Sequence, residues 1–288
     1  MDLKESVPLA GKTTMRIGGT ARYFADLASR EDIEQAVAFA GEKQLPLIVL
    51  GNGSNTVFAE GVIEALVVRL KGETVERVGG HLTVQAGKNL AMLINELAVE
   101  GLDLSALTGI PGTIGGAVFG NAGQGPTGVW IDAFVVSVTA YVEGRWKTFT
   151  KEECGFHYRE SVFKRMSGTP LLWEVVLEVP SGEPAAIKHT INTLLEKRIA
   201  TQPHLKTAGS CFKAVGDTPA WKLIDAAGLR GVQIGGVQIA EKHANFLLNV
   251  GQGTFADARA IVEQVRTSVK DPLDVEMRFI QSDGSLAF

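Results

Sequence analysis

The chain has 288 residues, with 28 Lys and Arg against 32 Asp and Glu, a net charge of −4. That balance is too mild to select nucleic acid or an anionic membrane as partner. No uninterrupted run of 18 apolar residues is present and the start, MDLKESVPLAGKTT, lacks the apolar stretch of a secretory leader, so a cytoplasmic protein is expected. Cys154 and Cys211 stand far apart, with no CxxC and no histidine at ligand spacing, which argues against a disulfide framework and against a metal site. The length predicts two or three packed units, and the 33 glycines exceed the usual share of about 7 %. The excess belongs in turns and ligand loops.

In chain order, Ile33, Ala36, Val37 and Ala40 recur at helical spacing, and Pro46 then opens the apolar run Leu47–Leu50, a helix followed by a buried strand. Val67, Val68 and Leu70 mark another strand. Leu82, Val84 and Ala86 alternate as a half-buried strand before a helix from Asn89 to Glu100 that Gly101 stops. Phe134 to Val142 alternates again, Glu143-Gly144 turns the chain, and Trp146 to Phe149 returns, which makes a hairpin. A strand from Leu171 to Val179 ends at Ser181-Gly182, and a helix from about Pro184 to Ile199 leads into a second unit. There, helices are expected at Pro219–Ala227 and at Phe255–Val269, the latter entered through Thr254 with Asp257 three residues on, and strands at Phe246–Val250 and Val275–Ile280. The main boundary falls near residue 182, giving 1–182, in lobes of about 1–70 and 71–182, and 183–288. No internal repeat appears.

Directly after the apolar run stands Leu50-Gly51-Asn52-Gly53-Ser54-Asn55, where glycines let the backbone turn sharply and present N–H groups to an anion. Taken alone, a plain strand-ending turn explains it as well. The second stretch is Thr108-Gly109-Ile110-Pro111-Gly112-Thr113-Ile114-Gly115-Gly116, continued to Asn121 and Gly123. It can lay backbone amides, or the start of a short helix, against a phosphate or a ring edge. A tight helix-packing loop competes with that reading on equal terms. No GxGxxG follows a strand and opens a helix, so a doubly wound nicotinamide domain is disfavoured.

Together the loops resemble the flavin domain of the vanillyl-alcohol oxidase and p-cresol methylhydroxylase fold. That implies an α+β protein with an FAD-binding fold of two α/β lobes and a smaller α+β substrate-binding domain. Members of that fold sometimes tether the flavin through a loop histidine; neither loop has one, and His81 stands in a turn, so FAD is expected to be bound non-covalently. Within the fold the chain is similar to the UDP-N-acetylenolpyruvoylglucosamine reductase family. The segments that carry the resemblance are Thr13–Gly19, Leu50–Asn55, Gly109–Gly116, Tyr158–Lys164, Ala208–Lys213, Glu241–Phe246 and Val275–Phe279, spread in order over nearly the whole chain.

The resemblance implies NADPH as reductant and a UDP-sugar enolpyruvyl ether as substrate, in peptidoglycan precursor synthesis. It implies that Arg159 clamps the substrate carboxylate, Ser210 donates a proton and Glu276 assists the arginine. Tyr158 and Lys213 are implied in substrate binding. Cofactor contacts fall on Leu50, Gly51, Asn52, Gly53, Ser54, Asn55, Thr108, Gly109, Pro111, Gly112, Thr113, Gly115, Gly116 and Asn121. The chemistry agrees: charge grows on the carboxylate during reduction, where a fixed guanidinium is worth most. From pattern alone, Arg159 and Glu276 read as solvated surface charges and Ser210 as a turn hydroxyl. Length and the short path from Trp221 to Asn245 resemble the shorter form of the family, with a monomer or weak homo-oligomer expected. The chain departs from the family at Ala214-Val215, where Asn-Pro is usual, at Thr201, where a lysine is usual, at Trp221, and at Gln124-Gly125-Pro126. Another flavoenzyme of this fold acting on a sugar or lactone, and a non-catalytic flavin-binding descendant, are the alternatives.

Overall fold

The computed structural model describes residues 1–124 and 128–288. Gly125 and Pro126, where the second loop departs from the family, lie outside the described residues. Strands and helices follow one another as β1 (Asp2–Pro8), β2 (Thr20–Leu27), α1 (Arg30–Lys43), β3 (Leu47–Val49), β4 (Thr56–Phe58) and β5 (Val62–Leu70). Then come β6 (Val75–Val78), β7 (His81–Gln85), α2 (Leu90–Val99), α3 (Ile114–Phe119), β8 (Val135–Val142), β9 (Arg145–Thr150), α4 (Val162–Arg165), β10 (Leu171–Leu177) and α5 (Pro184–Thr201). The chain ends with β11 (Thr207–Ser210), α6 (Ala220–Ala226), β12 (Gln233–Ile234), β13 (Val237–Ile239), β14 (Phe246–Asn249), α7 (Phe255–Ser268) and β15 (Arg278–Ile280). Among the described residues, no helix is long and apolar enough to cross a membrane.

The chain divides into two compact units, each assembled from separate stretches. One comprises residues 1–2, 25–43 and 68–198; the other comprises 3–24, 44–67 and 199–288. Compactness therefore groups the first glycine loop with the last ninety residues, a grouping that position along the chain does not display.

In the unit holding residues 68–198, an antiparallel sheet runs in the order β6-β7-β10-β8-β9. The predicted hairpin is its β8–β9 pair, with Tyr141 opposite Trp146 and Val142 opposite Arg145. Helix α2 lays Leu90, Leu93, Ile94 and Leu97 into a core shared with Val84, Val138 and Val175 from the sheet. Asn89 starts that helix by accepting a 3.0 Å hydrogen bond from the Met92 amide, satisfying a donor that the first turn leaves open. At α1, Ser29 and Asp32 exchange hydrogen bonds, Asp32 N donating to Ser29 Oγ at 3.1 Å and Ser29 N to Asp32 Oδ2 at 3.2 Å.

In the other unit, an antiparallel sheet runs β11-β14-β13-β12, and β15 pairs in parallel with β4, Arg278 opposite Thr56 and Ile280 opposite Phe58. Helix α7 buries Phe255, Ala258, Ile261, Val262 and Val265, in one core with Phe212, Leu247 and Phe279. It begins with the predicted box, in which Asp257 N donates to Thr254 Oγ1 and Thr254 N to Asp257 Oδ2, both at 3.0 Å. A further sheet runs β1-β2-β5-β3.

Candidate active site

The first glycine loop leaves β3 and is fastened on both flanks. Thr14 N donates to the Gly53 carbonyl at 3.1 Å. On the far side, Arg278 N donates to Asn55 O at 3.0 Å and Asn55 Nδ2 to Glu276 O at 3.0 Å. Gly53 has φ +65°, and a Cβ there would lie 2.3 Å from Lys12 O and 2.7 Å from Thr13 Cα, so only glycine lets the loop close on the Lys12-Thr13 backbone. Gly51, Ser54 and Asn55 are half-buried and Asn52 is exposed, while Leu50 is sealed in a core with Phe24, Ile63 and Val67. The Thr13–Gly19 segment, recognised in the sequence without a role, is what braces this loop.

The second loop divides its work. Ile114 N donates to Lys88 O at 2.9 Å, Gly115 N to Ala86 O at 2.8 Å, and Gly116 N to Thr113 Oγ1 at 3.2 Å. These amides, the start of α3, are engaged by the protein itself. A Cβ on Gly115 would fall 2.9 Å from Ala86 Cβ, so at this position the helix-packing reading describes the structure. Thr108 differs. Its Oγ1 is buried with no hydrogen-bond partner among the described residues, a hydroxyl that a polar ligand atom or a water could satisfy. Gly109 and Gly112, at φ +81° and +117°, follow it in the same loop. Pro111 is exposed and Thr113 buried.

Asn121, expected to touch the cofactor, is fully buried, and its side chain is occupied: Nδ2 donates to His157 O at 2.9 Å and Oδ1 accepts from Asp132 N at 3.3 Å. The His157 end leads to the predicted clamp. His157 and Glu160 exchange backbone hydrogen bonds of 3.1 and 3.0 Å, which leaves Tyr158 and Arg159 as the two corner residues of a tight hairpin. Arg159 has φ +57°, a left-handed backbone that costs a non-glycine residue about 1–2 kcal/mol. Strain of this kind persists where the surroundings over-determine a position and gathers at functional sites. The guanidinium carbon lies 5.8 Å from the Tyr158 ring centre, and that ring stands 5.9 Å from Trp130.

Arg198, near the end of α5, is a candidate site residue absent from the sequence expectations. The Cβ absent from Gly109 would sit 2.4 Å from Arg198 Cδ and 2.7 Å from its Nη1, so this side chain lies directly over the second loop. Burial first, and the charge of Arg159 second, pull its pKa down from the ordinary value. Two guanidinium groups within electrostatic reach of each other favour an anion there. Its one legible signal was its place just ahead of the Thr201-Gln202-Pro203 segment.

In the other unit, Ser210 closes β11 beside Gly209, at φ +79°, and pairs with Phe246. Glu276 N donates to Cys211 O at 2.8 Å and Phe212 bridges Val275, so adjacent backbones bring Ser210 and Glu276 together. Buried Asn245 locks the arrangement, accepting from Phe212 N and donating to Phe212 O, each at 2.9 Å. Lys213 follows, its amide donating to Asp274 O at 2.9 Å. The Cys211 thiol is pushed up by burial and then by the Glu276 charge, an inert group rather than a nucleophile. Arg278 lies next to Glu276. Its Nη1 donates to Val49 O at 3.1 Å, and burial pulls its pKa down. Arg159, Tyr158 and Arg198 belong to the first unit; Ser210, Lys213 and Glu276 to the second.

Comparison with known proteins adds family matches along the chain, and the first of them draws on both units. Residues 21–143 match the family described as FAD binding domain, and residues 202–279 match the C-terminal domain of UDP-N-acetylenolpyruvoylglucosamine reductase. The reductase of Moorella thermoacetica is 39 % identical over 274 residues, 94 % of this chain and 89 % of that protein. UDP-N-acetylenolpyruvoylglucosamine reductase 2 of Symbiobacterium thermophilum is 34 % identical over 280 residues, 96 % of this chain and 90 % of that one. The crystal structure of the enzyme from Thermus caldophilus superposes with a TM-score of 0.84 at 31 % identity, covering 96 % of this chain and 99 % of the other. With the two glycine loops, the paired Ser210 and Glu276 segments and a likeness over more than nine-tenths of the chain in place, the chain belongs to the UDP-N-acetylenolpyruvoylglucosamine reductase family.

Proposed function

We propose that the protein is a cytoplasmic FAD enzyme that uses NADPH to reduce UDP-N-acetylglucosamine enolpyruvate to UDP-N-acetylmuramate, for peptidoglycan precursor synthesis. Residues 1–182 are read as the FAD-binding part and 183–288 as the substrate-binding part. FAD, bound non-covalently, would supply the hydride that it receives from NADPH. It would be held by Gly51–Asn55, by Thr108, and by the backbone of Gly109, Pro111, Gly112, Thr113 and Gly116. Asn121 and Gly115 act there as supports, since their polar and packing capacity is already used.

The chain's own residues divide the remaining work. Arg159 binds and orients the substrate carboxylate, where negative charge accumulates, and a preset guanidinium stabilises that charge without reorganising. Arg198 strengthens the same positive field. Ser210 holds the proton destined for substrate carbon, and Lys213 stabilises the alkoxide left behind. Glu276 supports the carboxylate end, and Tyr158 packs along the substrate. Thr201 and Ala214 stand where relatives carry a lysine and an asparagine, so the diphosphate is held by a different set of groups here. Nicotinamide and sugar nucleotide use the site in alternation, and the working species is a monomer or weak homo-oligomer.

The observation that carries this reading is the joining of Ser210 and Glu276 through the Glu276 N to Cys211 O bond, inside segments shared with the family along the whole chain. Anaerobic mixing tests it. NADPH is expected to bleach the flavin absorbance and the UDP-enolpyruvyl sugar to restore it. Bleaching that the sugar nucleotide does not reverse would leave a flavoprotein with another substrate.

A further inference from the structure

Arg159 keeps its left-handed backbone, φ +57°, at the corner of the His157–Glu160 hairpin, and something must hold it there. Relaxation out of that region is rotation about the Arg159 N–Cα bond, which turns the Cα–Cβ bond and the carbonyl that follows, together, relative to the peptide before them. The plane that follows Arg159 carries its carbonyl oxygen. Lys164, half-buried on the short helix α4, points its ammonium back at that oxygen, Nζ donating at 2.6 Å. An ionised donor makes such a bond shorter and stronger than a neutral one. The helix that carries Lys164 is itself pinned, because buried Ser161 at its start donates from Oγ to Phe119 O at 2.7 Å. Asn121 Nδ2 holds the opposite shoulder of the hairpin through His157 O. The turn is thus fastened ahead of the corner by an amide, behind it by a hydroxyl, and at the corner by a charge.

We propose that Lys164 is a positioning residue for Arg159: its ammonium locks the strained corner and so aims the guanidinium. The inference rests on the reading of Arg159 as carboxylate clamp. Lys164 touches no reacting atom in this account. Its removal therefore acts only on steps that use Arg159, and only while Arg159 is present.

Two measurements on the FAD-loaded protein test it. In anaerobic stopped flow, Lys164→Met is expected to slow reoxidation of the reduced flavin by the UDP-enolpyruvyl sugar by about ten- to a hundredfold, as misplacement of a catalytic group does. Reduction by NADPH stays within about twofold, because that step does not use the clamp. Lys164→Arg, which keeps a charged donor, restores most of the rate. In an Arg159→Met background, Lys164→Met adds no further loss. Independently of activity, the Nε–H signal of Arg159 in arginine-labelled protein is expected to become mobile in Lys164→Met, read as a lowered heteronuclear NOE. An unchanged reoxidation rate, an equal loss in both half-reactions, an additive loss in the Arg159→Met background, or an unchanged NOE would each overturn the proposal. A parent protein whose reduced flavin ignores the sugar nucleotide would remove the clamp reading instead, and the NOE would still decide whether Lys164 holds Arg159.

Discussion

At Gly53 an added methyl group meets the Lys12 carbonyl oxygen at 2.3 Å with the backbone at φ +65°. Neither the Lys12-Thr13 backbone nor the loop can yield without breaking the Thr14 N to Gly53 O bond. Gly53→Ala is therefore expected to purify with little or no FAD while the cores stay folded, measured as the flavin-to-protein absorbance ratio; full flavin content would refute the bracing role. Ser210 makes a different demand. Ser210→Ala should leave bleaching by NADPH intact and slow recovery by the enolpyruvyl sugar by about a hundredfold or more, the worth of a positioned proton donor. Recovery at the parent rate would assign the proton to another group. Residues of this kind were only partly legible. Arg159, Ser210 and Glu276 could be singled out because their segments resemble a family, whereas Arg198 and Lys164 are marked by contacts that exist only after folding, with Gly109 and with the Arg159 carbonyl.

Helix α7 shows what an element owes to a few polar atoms at its start. The Thr254 hydroxyl accepts from Asp257 N, and Asp257 Oδ2 accepts from Thr254 N and also from Gly236 N at 3.1 Å. Thr254→Ala should cost about 1 kcal/mol, the usual worth of a capping side chain, read from the urea midpoint. Asp257→Ala should cost more, since it also frees the Gly236 amide, and the reverse order would mean that the Gly236 contact is idle. Elements with strong periodicity or caps were read correctly from the residues alone: α1, α2 with Asn89, the β8–β9 hairpin, α5, α6 and α7. Several of those missed lack local signals. Strand β1, DLKESVP, is mostly exposed at a sheet edge, and β12 and β13 are a few residues around Gly235-Gly236. Helix α3, IGGAVF, expected only as one reading of the second loop, is poor in helix formers and stands on the Thr113 cap and its contacts with β7 and β10. In each, pairing or packing from elsewhere in the chain overrides weak propensity.

For the molecule as a whole, acid should act in two stages. Burial holds the His243 pKa below its ordinary 6.5, so the native state prefers neutral imidazole. As pH falls below that value the unfolded chain takes up the proton first, and stability declines until the folded pKa is reached. Asp257 follows at lower pH: its amide partners, Gly236 and then Thr254, hold its pKa below 3.8, and that contribution, present above the unfolded value, is lost as pH falls through the folded one. His243→Gln should flatten the dependence of Tm on pH between 7 and 5 (~2 units, the range where histidine titrates), and an unaltered slope would place the sensitivity elsewhere. The parallel pairing of β15 with β4 also sets an order of assembly. Thr56–Phe58 wait for Arg278–Ile280, which leave the ribosome some ten to forty seconds later at about 5–20 residues per second. Until then the edge beside the first glycine loop stays open, so with FAD held as proposed its capture falls at the close of biogenesis, and nascent chains arrested ahead of Arg278 should emerge colourless.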